Sequence, residues 1–298
     1  MTSPFPWDPI LPSHDAQKAL LKKHVDSMPA FSPATAKIIT LASRMNTPPA
    51  EIVAAIRLDP VLTGKVLQLV NSAYFELAQR VTSLNRAVVY LGINTIKNLA
   101  LSTAVMQTFE TKNQALANLI RPSWRHSLAA AVSAKLIAKA SGEDPKILEE
   151  YFIAGLLHDV GKIILMQAFH ETLPHDGTLS LPAERERYGT DHCKLGSETL
   201  KRWKFSDDLV QAVGTFYNPP PNNRMANFVH LANAMTYRLE LNGPGVGGPA
   251  VIQPGSYAAL GLTEEKTLFA LAAAPDQIRK AEVFLNIAGS TDRVVETE

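Results

Sequence analysis

The chain has 298 residues, enough to bury one large core or two small ones. Hydrophobic residues make up 46% and charged residues 19%, which excludes an intrinsically disordered chain. Lys plus Arg total 29 against 28 Asp plus Glu, and this formal charge of +1 argues against binding nucleic acid through a general basic surface.

Pro4, Pro6, Pro9 and Pro12 predict an extended arm over residues 1–13, because each proline fixes its own backbone and turns its predecessor away from helix. The start lacks the basic-then-apolar order of a secretory signal. No uninterrupted apolar run reaches the roughly 18 residues of a membrane span. The single cysteine, Cys193, excludes an intramolecular disulfide and a multi-cysteine zinc site, and it suits a reducing compartment. The expected location is cytoplasmic, with no membrane partner.

Helix starts are written at Thr47-Pro48, at Asp59 before a helix Pro60–Ser72, at Ser83 and at Thr263. Val66, Leu69, Val70 and Ala73, then Ile96, Leu99, Ala100 and Thr103, have helical spacing. The run from Ala87 to Ile93 is apolar enough for a buried strand, but it lacks alternation and follows a helix cap. Tyr74 and Phe75 read as core anchors, and Asn71-Ser72 as a helix end or a tie to adjoining chain.

A polar stretch from Thr111 to Pro122 separates a predicted N-terminal helical lobe, 14–112, from a second lobe, 113–242. The second opens on a long helix from Pro122 to Ala140. Residues 243–298 read as a Gly/Pro loop followed by helices around 263–273 and 276–288, with a polar end over 291–298. The expected fold is all-α, two helical lobes packed against each other without a flexible linker.

Candidate chemistry centres on His158-Asp159. They end a helix whose apolar positions are Ile147, Leu148, Tyr151, Phe152 and Leu156. An adjacent imidazole and carboxylate can reach one divalent cation if the backbone turns there, and Gly161 permits a turn. His126 sits among Trp124, Leu128, Val132, Leu136 and Ile137, where a histidine is more often a hydrogen-bonded core residue than a ligand. Asp191-His192 opens another helix, and its simplest reading is an aspartate cap beside a solvated histidine.

Several segments occur in an order that resembles one family. They are Met28-Pro29-Ala30-Phe31-Ser32-Pro33, the run Leu58 to Leu67 with Val70-Asn71-Ser72-Ala73-Tyr74-Phe75, and the run Ser83 to Gly92. Trp124-Arg125-His126-Ser127, the run Ala154 to Lys162, and His230-Leu231-Ala232-Asn233-Ala234 complete them. Over about Ser27 to Ile287 the chain resembles the HDOD family, a signalling-associated branch of the HD superfamily of metal-dependent phosphohydrolases. The resemblance implies that the second lobe is an HD-type helical bundle.

In catalytic HD proteins a histidine, a His-Asp pair and a distal aspartate hold the metal. His126, His158 and Asp159 match the first three, and Asn233 stands where the aspartate is expected. An amide oxygen can ligate but brings no charge, and hard cations prefer carboxylates. In the dinuclear HD-GYP branch further histidines ligate. His192 matches one, but Phe216-Tyr217 replace a histidine pair and the Gly-Tyr-Pro segment is absent. Lys162 reads either as a phosphate contact or as a solvent-facing lysine.

The implied function is a regulatory signal-transduction module that acts on a signalling protein of unknown identity and has no phosphodiesterase activity. The alternative is a phosphohydrolase acting on a nucleotide or other phosphate ester. No cofactor is required, although Mg²⁺, Mn²⁺, Ni²⁺ or Zn²⁺ can bind weakly through these residues. A homodimer is left open. Nucleic acid is disfavoured, since Lys194, Lys201, Arg202 and Lys204 form at most a small patch.

Overall fold

The computed structural model describes residues 14–42, 47–170, 180–242 and 251–288. The predicted arm over 1–13, the Gly/Pro loop over 243–250 and the end over 291–298 lie outside the described residues. Within them the chain is all-α, with no strand.

The helices are α1 (His14–Ser27), α2 (Pro33–Ala42), α3 (Pro49–Arg57), α4 (Pro60–Val70), α5 (Leu84–Leu91) and α6 (Ile93–Thr108). Then come α7 (Gln114–Ala140), α8 (Leu148–Leu157), α9 (Val160–Phe169), α10 (Leu181–Tyr188), α11 (His192–Arg202), α12 (Asp207–Thr215) and α13 (Arg224–Arg238). The last are α14 (Pro254–Leu260), α15 (Glu264–Ala270), a 3-10 turn at Leu271–Ala273, α16 (Ala274–Ala281) and α17 (Val283–Ala288).

Local chemistry sets most starts. Asp59, Ser83, Asp191 and Thr263 each accept a hydrogen bond from the backbone N–H three residues on. Such a cap contributes about 1 kcal/mol. Thr47 is the exception. Its hydroxyl donates to the Leu41 carbonyl at 2.6 Å, and α3 starts at Pro49 without a side-chain cap. The run Ala87–Ile93 is the junction of α5 and α6, broken at Gly92 with φ +80°, a conformation that glycine adopts without strain. Asn71 ties the end of α4 to the following loop, donating to the Leu67 and Val81 carbonyls and accepting from Val81 N–H.

Pro122 neither starts nor ends a helix. Asn113 caps α7, and the helix runs through the proline to Ala140. An internal proline costs about 3 kcal/mol. Leu116, Ile120, Trp124 and Leu128 are buried at four-residue spacing on either side, and that continuous stripe outweighs the lost hydrogen bond.

A single hydrophobic cluster runs from Leu21 to Phe284 and includes residues of both predicted lobes. In it α6 packs on α8, and α17 reaches across to α4. Tyr74 meets Phe75, Phe152 and Phe284, so it is a core anchor. α7 and α8 pack closely: a Cβ at Gly155 would lie 2.6 Å from the Ala131 Cα. The stretch Leu148–Phe169 has the length and apolarity of a membrane span, but 83% of its most apolar window is buried inside the protein. It is the core of the bundle, interrupted at His158-Asp159, and the interruption carries the site.

Candidate metal centre

The α8–α9 connection is two residues long. His158 closes α8 at φ −58°, ψ −36°, and Asp159 precedes α9 at φ −99°, ψ 15°. Gly161 does not make this turn. Its task is contact with α11, because a Cβ there would lie 1.9 Å from the His192 carbonyl oxygen. The close α7–α8 and α9–α11 packings bring His126 and His192 to the His-Asp corner.

His126 Nε2 lies 3.2 Å from His158 Nε2 and 3.6 Å from Asp159 Oδ2. His158 Nε2 is 3.4 Å from Asp159 Oδ1. Ligand atoms at tetrahedral positions, with bonds of about 2.0–2.1 Å, stand roughly 3.3–3.4 Å apart. The two imidazoles and the carboxylate therefore stand at separations that ligands of one shared ion adopt. Exposure is 1% for His126, 0% for His158 and 4% for Asp159, so these groups have no bulk water to satisfy them.

The other ring nitrogens fix the tautomers. His126 Nδ1–H donates to Asn242 Oδ1 at 2.8 Å, and His158 Nδ1–H donates to the Gly155 carbonyl at 2.7 Å. Each Nε2 then presents its lone pair to the other, an arrangement that a shared cation relieves. The donor set fits a divalent ion: two imidazoles and a carboxylate, each held from behind. Among the described residues this is the only group of three or more histidine, cysteine or acidic side chains clustered tightly enough to hold one ion.

His192 joins at the edge. Its Nε2 is 3.5 Å from Asp159 Oδ1 and has no hydrogen-bond partner, and the ring is 1% exposed rather than solvated. Its Nδ1 sits 2.7–2.8 Å from both oxygens of Glu184, and its backbone N–H donates to Glu184 Oε2 at 2.8 Å. Asp191 is the predicted cap of α11. Asn233 is buried on α13 with its Oδ1 unpartnered, one turn before Tyr237. Lys162 is half-buried on α9, and its charge acts on Asp159.

Aromatic rings enclose the centre. The Tyr237 ring lies 4.8 Å from His126, and Phe216 stands edge-on to His158 at 4.9 Å. Tyr217 is 5.6 Å from His192. His230 is structural: Nδ1–H donates to the Phe216 carbonyl at 2.8 Å, and Nε2 accepts from Gln253 N–H at 2.9 Å.

Burial would raise the Asp159 pKa, but the positive environment of His158, Lys162, His192 and His126 holds it well below the ordinary carboxylate range. Burial also lowers His158. It takes His126 down to about 4 despite the nearby Asp159. A histidine neutral when folded and at 6.5 when unfolded contributes stability above pH 6.5 and loses it as pH falls toward 4. In metal-free protein, the stability gap between wild type and His126→Gln is therefore expected to narrow by about 3 kcal/mol between pH 7 and pH 4. Urea titrations at both pH values measure it, and a gap independent of pH would contradict this account.

Two residues of this network escaped sequence reasoning. Glu184 lies in the polar run Ala183-Glu184-Arg185-Glu186-Arg187, which reads as a solvated face. Asn242 reads only as the start of a loop. The one local signal for Asn242 is an amide placed just after a helix end.

Comparison with known proteins identifies the family. The HDOD domain model matches residues 28–219, and the chain belongs to the HDOD family. An uncharacterized protein of Treponema pallidum (strain Nichols) is 24% identical over 211 residues, covering 68% of this chain and 40% of its own length. This chain thus spans less than half of that relative. An HDOD domain protein of unknown function from Geobacter sulfurreducens superposes with a TM-score of 0.69 at 21% identity, covering 90% of this chain and 97% of its own. A Marinobacter aquaeolei VT8 protein, named for signal transduction, gives 0.70 at 21% identity over 94% of this chain and 66% of its own. A Shewanella amazonensis SB2B protein, named as a metal-dependent phosphohydrolase, gives 0.62 at 19% identity over 91% of this chain and 98% of its own. At these identities the structural likeness establishes the fold.

Proposed function

We propose that the protein is a regulatory signal-transduction module of HDOD type, cytoplasmic, which acts by binding another signalling protein and has no phosphodiesterase activity. The observation that carries this reading is the enclosure of the metal centre. His126, His158 and Asp159 are at most 4% exposed, and Tyr237 and Phe216 pack directly against the two imidazoles. A phosphohydrolase must admit both a phosphate ester and a water to its metal. Aromatic side chains at 216 and 217 also supply hydrocarbon where ligand nitrogens would hold a second ion.

In this reading the centre is degenerate. His126, His158 and Asp159 hold a divalent ion, with Asn233 as a neutral fourth oxygen and His192 outside the trio. One carboxylate offsets half of the ion's charge, so Mg²⁺ and Mn²⁺ bind weakly and the imidazoles favour Ni²⁺ or Zn²⁺. When bound, the ion cross-links α7 to the α8–α9 corner.

A second reading, phosphate-ester hydrolysis, is favoured by the facing Nε2 lone pairs and by the Lys162 charge acting beside Asp159. Metal-reconstituted protein separates the two. Wild type is expected to show no turnover of cyclic dinucleotides or generic phosphate esters, while Asn233→Asp tightens divalent metal binding. Robust wild-type turnover that His158→Ala abolishes would establish the phosphohydrolase instead.

A further inference from the structure

On the side of His126 away from His158, α7 borders a cleft of about 260 Å³ lined by Asn118, Arg121, Pro122, Arg125 and Asn242. Arg121 and Arg125 stand one helical turn apart, which puts their Cβ atoms about 5–6 Å apart with like charges facing one space. Arg125 shares its charge with Glu282 at 2.8 Å. Arg121 meets a neutral group, donating to Asn286 Oδ1 at 3.3 Å, and it has no carboxylate partner among the described residues. Among the described residues, Arg121 is the arginine of the cleft that no carboxylate meets.

Asn242 connects this space to the metal centre. It is 4% exposed, and its Oδ1 is taken by His126 Nδ1–H. Asn242 lines the cleft, and among the described residues its amide NH₂ has no hydrogen-bond partner. Two guanidinium forks and an amide donor are a set that matches phosphate oxygens, since planar guanidinium binds them in pairs of charge-assisted hydrogen bonds. A bound anion would also relieve the repulsion between the two arginines.

We propose that this cleft binds a small phosphate-bearing anion, and that Asn242 couples its occupancy to His126. The volume falls below the roughly 300 Å³ at which sites for drug-sized ligands begin. It suits inorganic phosphate or the head of a phosphomonoester, not a whole dinucleotide. The binding stands by itself; the coupling rests on the regulatory reading, because it supplies the metal centre with an input.

Calorimetry on the full chain with inorganic phosphate, glucose 6-phosphate and glucose tests the binding. Both phosphates are expected to bind saturably and glucose is not. A preference for glucose 6-phosphate would identify a phosphomonoester, and equal or tighter binding of inorganic phosphate the free ion. Arg121→Gln is expected to weaken affinity about tenfold, the effect of one lost charge-assisted contact. Glu282→Gln is expected to tighten it, because Arg125 then loses its competing carboxylate. Absence of saturable binding, or affinity indifferent to both substitutions, overturns the site.

The coupling is read separately from the His126 ring resonances of metal-free protein. They are expected to move on phosphate addition in wild type and to stay fixed in Asn242→Ala. Wild-type resonances that do not move while phosphate binds would overturn the coupling. Neither measurement uses turnover, so failure here is distinguishable from failure of the regulatory reading.

Discussion

Replacing Gly161 by alanine is expected to destabilise the protein by about 3 kcal/mol or more, beyond the range typical of single substitutions. The added Cβ would stand 1.9 Å from the His192 carbonyl oxygen and 2.7 Å from the Gly196 N. Both are backbone atoms, so no side-chain rotation relieves the contact, and α9 and α11 must separate. His192 then leaves Asp159, and metal affinity is expected to fall together with stability. Gly64 provides the contrast. It lies inside α4, where an added Cβ would meet nothing within 4 Å, and Gly64→Ala is expected to stabilise by about 0.5–1 kcal/mol. Denaturant titration of the two variants tests both; a loss below about 1 kcal/mol for Gly161→Ala would contradict the close-packing account.

Glu184→Ala is expected to cost about 3 kcal/mol near pH 6, because it strands the buried His192 N–H and Nδ1 without an acceptor. Burial works against a charged His192, whereas Cys193 and Glu184 raise its pKa well above 6.5. Burial also raises the Cys193 thiol, and the Glu184 carboxylate on Nδ1 is the partner that Glu184→Ala removes. A raised histidine contributes its stability in full below pH 6.5 and loses it as pH climbs through the folded value. The deficit of Glu184→Ala should therefore be full in acid and shrink in alkali. Glu184→Gln, which retains one acceptor, should fall between. Equal deficits at pH 6 and pH 10 would show that the loss is of packing, not of charge.

What could be read from the chain followed the range of the forces involved. Asp59, Ser83, Asp191 and Thr263 act on the backbone three residues away, so their caps were legible from neighbours alone. Pro122 was misleading for the same reason: its local cost is visible, while the stripe that overrides it appears only when Ile120 and Trp124 meet the core. Gly161 is the right residue with a different task, since its nearest neighbour is a carbonyl 31 positions along the chain. His126, His158 and Asp159 were joined by family resemblance and not by spacing. Glu184 carries no sign of burial in its own segment; its environment is made by α11 folding over it.

The buried His230 bridge bears on what counts as a movable unit in this family. The matched stretch ends at residue 219, yet Tyr237 and Asn242 both touch His126, and His230 fastens Phe216 to Gln253. A chain cut at the homology boundary would retain His126, His158 and Asp159 while losing one wall of their enclosure and the acceptor that sets the His126 tautomer. The inheritable segment is therefore shorter than the cooperative one. Grafting this domain onto another protein should carry α13 to α17 with it, because the common core extends to Phe284, so that the seam falls after α17 rather than beside the metal.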